Sequence, residues 1–299
     1  MDAQLAQFFA AWIAQLPQLT INGIAVGSII ALGAVGLTLT YGILRLSNFA
    51  HGDFLTLGAY LTLFVNTFGV NIWLSMVLAA LGTVGAMLLS EKLLWSRMRS
   101  IRATSTTFII ISIGLALFLR NGIIFIWGGG NQKYNVPVSP ALDIGGIKVP
   151  QVKLLVFVLA VLAILVLHYL LQNTKIGKAM RAVADDIDLA RVSGINVDYV
   201  VVWTWVIAGS LTSLGGSMLG LSEAVRPNMG WFLILPLFAS VILGGIGNPY
   251  GAIAAAFIIG IVQEVSTPWL GSQYKQGVAL LIMILVLLIR PKGLFRGTI

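Results

Sequence analysis

The chain has 299 residues, 58% of them hydrophobic and 9% charged, with a mean hydropathy of +0.97. Ordinary globular domains carry about 25% charged residues, so these few cannot cover a soluble surface, and the chain is read as an all-α, polytopic membrane protein. Its net charge of +8 lies between apolar runs and so reports topology, not nucleic-acid binding, while the absence of cysteine excludes disulfides, Cys-ligated zinc and a cysteine nucleophile.

Residues 1–18 carry one charge, Asp2, and no basic stretch, which argues against a cleaved signal peptide. Leu5, Phe8, Phe9, Trp12, Ile13 and Leu16 share one helical face, largely away from Gln4, Gln7, Gln15 and Gln18. This is either an amphipathic lead-in lying on the membrane or a frayed polar stretch. A single transmembrane domain, 19–299, follows. A span needs about 20 mostly apolar residues. Nine segments are expected: 19–44, 54–68, 72–94, 106–127, 153–171, 199–221, 231–247, 249–267 and 274–290. Two of them, 54–68 and 231–247, are short. With the N-terminus outside, the inner connections hold 12 of the 18 Lys and Arg residues. The positive-inside bias therefore predicts N-out, C-in. Segments one to three run long, short, long. Segments six to eight repeat that order about 178 residues later in the opposite orientation. The match predicts an inverted repeat with short broken segments, although nine apolar runs can also match in length by chance.

Several chemistries are missing. The only Gly-Lys pair, Gly177-Lys178, is followed by Ala, so no phosphate-cradling P-loop exists. His51 and His168 have no metal-ligand spacing, no G-x-S-x-G elbow occurs, and the apolar segments hold almost no acids for a proton relay. No catalytic residue, metal or bound cofactor is expected; the pattern suits a passive conduit or a permease driven by a partner.

Polar residues within the apolar segments are the pathway or gate candidates. Asn48, His51 and Asp53 surround Gly52 between the first two segments. They form either a break lining a cavity or a polar turn. Gly244, Gly245, Gly247 and Pro249 break the chain at the matching inverted position, as a tight turn or a close-packed contact. Ser28, Thr38, Thr40 and Tyr41 on segment one, with Ser210, Thr212, Ser213 and Ser217 on segment six, suit a solute lining or helix packing equally. Arg120 and Glu264 are costly in lipid unless paired with each other or snorkelled. His168 is read as interfacial, and Trp73, Trp95, Trp127, Trp231 and Trp269 as membrane-interface anchors.

The longest inner loop, 172–198, carries both signs of charge. Residues 178–184 permit a helix, and Asp186 can cap a second one over 187–193 that ends at Gly194. The pair is a docking knob or a solvated basic loop. Here a resemblance becomes visible. GKAMRAVADDIDLARVSGINV is similar to the cytoplasmic loop of ABC-importer permeases for branched-chain amino acids and monosaccharides. NFAHGDFLTLGAYL, GGIGNPYGAIAAAFIIG and RPKGLF narrow the match to the H-type permease subunit of branched-chain amino-acid importers. The resemblance runs from Gly23 to Phe295. It implies that Gly177, Arg181, Ala182, Asp186, Ala190, Arg191 and Gly194 form the ATPase coupling element. It also implies a homologous second permease, two ATPases that bind ATP and Mg, a periplasmic binding protein, and a bacterial inner membrane. The loop departs from the general E-A-A-x-x-x-G pattern, carrying Arg181-Ala182-Val183 there. A urea or sugar permease and an ion-coupled secondary transporter are the alternatives.

Overall fold

The computed structural model describes residues 2–137, 140–144, 147–290 and 293–295. Pro291, Lys292 and Arg296, which entered the motif and charge readings above, lie outside that set. Helix α1 runs unbroken over Asp2–Leu44. The lead-in over 1–18 is therefore not a separate element. Pro17 sits inside the helix, and Phe9 and Trp12 pack edge-on against Trp269, with centroids 5.2 and 5.5 Å apart. Helix α2 spans His51–Thr67. Helix α3, Ile72–Ser90, passes through a π turn at Glu91–Trp95 into Ser96–Ser100. Helix α4 spans Ser105–Trp127. A two-stranded hairpin, β1 at Ala141–Ile144 and β2 at Ile147–Pro150, precedes α5, Gln151–Asn173. Helices α6, Lys175–Asp185, and α7, Ile187–Val192, are short. The chain then forms α8, Val197–Ser222; α9, Met229–Gly244; α10, Pro249–Val265; and α11, Lys275–Ile289.

Six helical stretches among the described residues are long and apolar enough to cross a membrane: Phe9–Leu44, Ile72–Ser100, Ser105–Trp127, Gln151–Asn173, Val197–Ser222 and Ser272–Ile289. Helices α2, α9 and α10, at 17, 16 and 17 residues, are shorter than the roughly 20 residues a span requires. For α2 the shortness has a structural cause. His51 Nε2 lies 3.0 Å from the Gly33 carbonyl. Gly33 sits three turns, about 16 Å, before the C-terminus of α1. After Leu44 the chain therefore folds back into the bundle, burying Leu46, Asn48 and Ala50, before α2 begins.

Glycine sets the spacing of the core. Along α1 and α10, Gly42 faces Gly247 and Gly27 faces Ala256 and Phe257; a Cβ on Gly27 would meet the Phe257 Cα at 2.9 Å. Helix α8 packs in the same way on α2 and α3, where Gly58 faces Ser213 and Gly209 faces Val84. The two short helices α2 and α9 meet N-terminus to N-terminus. A Cβ on either Gly52 or Gly230 would overlap the carbonyl of the other. These glycines are 178 residues apart, the offset of the sequence match.

One end of the bundle, here the proximal end, carries the α1 C-terminus, α6, α7 and the α9–α10 turn. The distal end carries the hairpin and the α8–α9 and α10–α11 connections. The stretch that follows α4 is tied down there: Gln132 and Val225 exchange backbone hydrogen bonds at 2.9 Å, Tyr134 donates to Ala59 O at 3.1 Å, and Asn135 N donates to Asn66 Oδ1 at 2.7 Å.

Candidate functional site

The meeting of α2 and α9 places two positive helix ends at one buried point. Asp53, in the first turn of α2, supplies a negative charge there. Arg120 from α4 donates to both its oxygens at 3.0 Å, and the guanidinium lies 4.5 Å from the ring centroid of Trp231. Asp53 is 1% and Arg120 15% exposed, so this is a buried, forked ion pair that binds α2, α4 and α9 together. Arg120 does not meet Glu264, contrary to the pairing expected above. Glu264 is held instead by Lys275 at the head of α11. Trp231 serves as a cation–π platform as well as a helix-end aromatic.

His51 is fully buried. Its Nε2 faces the Gly33 carbonyl and the Thr212 hydroxyl, both at 3.0 Å, and that hydroxyl already donates to Ala208 O. Two acceptors require the ring hydrogen on Nε2, which leaves Nδ1 bare. The Asn48 carbonyl accepts from Ala50 N, while its Nδ2 is buried without an acceptor. Asn48, His51 and Asp53 are thus core groups that fix the re-entrant turn and the start of α2.

The remaining pathway candidates divide. Ser28 and Ser210 donate to the carbonyls four residues back in their own helices. Ser213 is buried against Gly58 with its hydroxyl unpartnered, and Tyr41 is half-buried. Thr38 accepts from Gly247 N at 3.0 Å and so pins the α9–α10 turn. That turn is compact: Gly245 and Gly247 have φ of 94° and 84°, and Gly244 lies on the backbone of Gly251. Leu294 N donates to Leu243 O and Asn248 Nδ2 to Phe295 O, so the C-terminal motif closes over it.

At the proximal end, Asp186 Oδ1 accepts from the Asp188 and Leu189 amides at 2.9 Å, capping α7. Gly194 has φ 86° and turns the chain toward α8. Other residues of this loop serve the chain itself. Arg181 Nη1 donates to the Leu171 carbonyl and closes the end of α5; Gly177 lies against the Leu170 and Leu171 carbonyls. Ala190 is buried and Ala182 half-buried, so neither lies on the outward face of the coupling element that the resemblance implied. The outward face of α7 is apolar, with Ile187 40%, Leu189 63% and Val192 81% exposed beside exposed Asp188 and Arg191. A cavity of about 310 Å³ separates α6 from the α1 end and the α9–α10 turn.

Two features escaped the sequence reading. Glu91, in the π turn of α3, is paired with Arg99 and accepts from Trp205 Nε1 at 2.8 Å. Trp95, expected as an interface anchor, is fully buried against Phe108. Both residues lie in the π turn that ends α3. The second feature is a distal cleft of about 650 Å³ between α1, α5, α8, α9, α10 and α11. Among the pathway and pair candidates, only Glu264 lines it.

Broken helices meeting inside an apolar bundle, with buried charges at the break, define the architecture of a membrane transport protein. The chain belongs to the family described as "Branched-chain amino acid transport system / permease component", whose family model matches residues 19–287. It is 30% identical to the high-affinity branched-chain amino acid transport system permease protein LivH of Escherichia coli K12, over 91% of this chain and 93% of that one. It is 29% identical to the corresponding permease protein BraD of Pseudomonas aeruginosa, covering 93% and 94% of the two chains. It also shares its fold with a chain of PsaBC from Streptococcus pneumoniae in complex with Fab, at TM-score 0.55 and 15% identity over 95% and 97% of the chains. The chain is a multi-pass membrane permease component, not an enzyme.

Proposed function

We propose that the chain is the transmembrane permease subunit of an ATP-driven ABC importer for branched-chain or other neutral amino acids. In this reading it is N-out and C-in with nine membrane segments, and α1–α3 and α8–α10 are inverted repeats about an axis through Gly52 and Gly230. The proximal end faces the cytoplasm of a bacterium and the distal end the periplasm across its inner membrane. The chain binds no cofactor itself; ATP and Mg act on two partner ATPases, beside a homologous second permease and a periplasmic binding protein.

The observation that carries the ATP-driven reading is the outward face of α7. Ile187, Leu189 and Val192 stand in a charged loop off the end of the bundle. Apolar side chains clustered on such a knob fit a groove on a protein partner. Arg191 and Asp188 flank them and can set the register. Motion of a docked α6–α7 reaches the core by two routes. One runs from Arg45 Nη2 to Ala184 O at 3.3 Å, and the other runs directly into α8. The pathway then alternates by rocking one repeat against the other. The test is purification of the chain from its native membrane in mild detergent. A co-purifying ATPase with a Walker motif is expected; a lone chain that transports on an ion gradient contradicts the reading.

A further inference from the structure

The distal cleft holds charges that neither the fold nor the coupling requires. Lys153, Arg226 and Lys275 line it with Glu223 and Glu264, and Ser222 adds a buried hydroxyl without a partner. Arg226 and Glu223 are paired at 2.9 Å on the exposed rim. The deeper charges are different. Glu264 is 11% exposed, and its Oε1 is taken by Lys275, leaving Oε2 open to a second donor. Lys153 is half-buried and donates to Asn22 Oδ1 at 2.8 Å. Among the described residues it pairs with no carboxylate. A half-buried ammonium with donors to spare, near a buried carboxylate with a free oxygen, is costly in an apolar bundle unless it has a use.

We propose that this cleft, within the single chain, is a receiving site for a zwitterionic amino acid. Lys153 and the Ser222 hydroxyl take the α-carboxylate, Glu264 takes the α-ammonium, and Ile29 and Leu233 face the side chain. The proposal rests on the importer reading above, which turns the cleft toward the periplasm. Its volume falls in the range of about 300–1,000 Å³ usual for small-ligand sites. Two acids in the lining disfavour a phosphate or an anionic lipid headgroup. The three bases disfavour a simple amine. A molecule carrying both charges gives Lys153 a carboxylate and the free Glu264 Oε2 a second donor at once.

The absence of native cysteine makes the test direct. Gln273→Cys and Gln276→Cys each place one thiol in the cleft of the assembled, nucleotide-free complex in lipid nanodiscs. Modification by a neutral methanethiosulfonate is timed with leucine, isovalerate, isoamylamine or ribose. Leucine should slow both thiols. Isovalerate and isoamylamine, each lacking one charge, should need about tenfold higher concentration or more for the same protection. Lys153→Gln should remove the protection by leucine while the melting temperature of the complex is unchanged. Unaltered rates with leucine, in a preparation that transports leucine with its binding protein, overturn this site and leave the importer reading standing. Protection by ribose alone, in a preparation that transports ribose alone, overturns both.

Discussion

Asp53 and Arg120 show how a charge becomes tolerable inside an apolar bundle. Two helix N-termini and a forked guanidinium face one carboxylate, and the Trp231 ring covers the guanidinium in turn, so each charge of the pair has a partner. Removing one partner of such a pair strands the other, at about 3–5 kcal/mol. Asp53→Asn or Arg120→Met alone should therefore lower the melting temperature of the detergent-solubilised complex sharply. The double variant should recover much of the loss, because neither charge remains. A double variant that loses as much as the two singles together would show that the groups act independently. The sequence marked Arg120 and Glu264 as charges needing partners and offered each to the other, whereas the fold gives them Asp53 and Lys275. Asp53 is 67 residues from Arg120, and only the packing of α2 on α4 brings them together. Lys153 and Lys275 stand at helix starts, and nothing local in the sequence shows that both line one cleft.

Among the elements, the contact between α2 and α9 is the most demanding. Both sides of the Gly52–Gly230 contact are backbone, so an added methyl finds no flexible side chain to displace. Gly230→Ala should cost about 1–3 kcal/mol through overpacking and reduce transport. Gly114→Ala on α4 meets open space; it should be neutral, or stabilising by up to about 1 kcal/mol from helix propensity. Melting curves and uptake rates of the two variants make the comparison. Helix α7 supports a different expectation. Leu189→Asp should abolish co-purification of the ATPase without changing membrane insertion, since Leu189 is 63% exposed and lies outside every spanning segment. Arg181→Glu should instead loosen the end of α5, because its donor goes to Leu171 within the chain. Equal ATPase recovery with Leu189→Asp and wild type would place the coupling surface elsewhere. The cap at Asp186 and the turn at Gly194 were legible from residue type alone. The inward rotation of Ala190 was not, because a six-residue helix has too few turns to reveal which face is buried.

For the whole molecule, hydrophobic run length located the apolar helices to within a few residues, since apolar composition and helix length are both local properties. The unbroken α1 was missed because Pro17 and the glutamines around it resemble a boundary. The orientation is still an expectation from charge. Asn135→Cys should label from the periplasmic side and Asp188→Cys should not; the reverse pattern would invert the topology and turn the distal cleft toward the cytoplasm. The most direct test of the central claim is uptake into proteoliposomes. They would contain this chain, its second permease and the ATPases, with binding protein outside and ATP inside. Leucine should accumulate against its gradient only when ATP and binding protein are both present. Accumulation of leucine without ATP under an ion gradient, or ATP-driven uptake of a sugar but no neutral amino acid, would contradict the account.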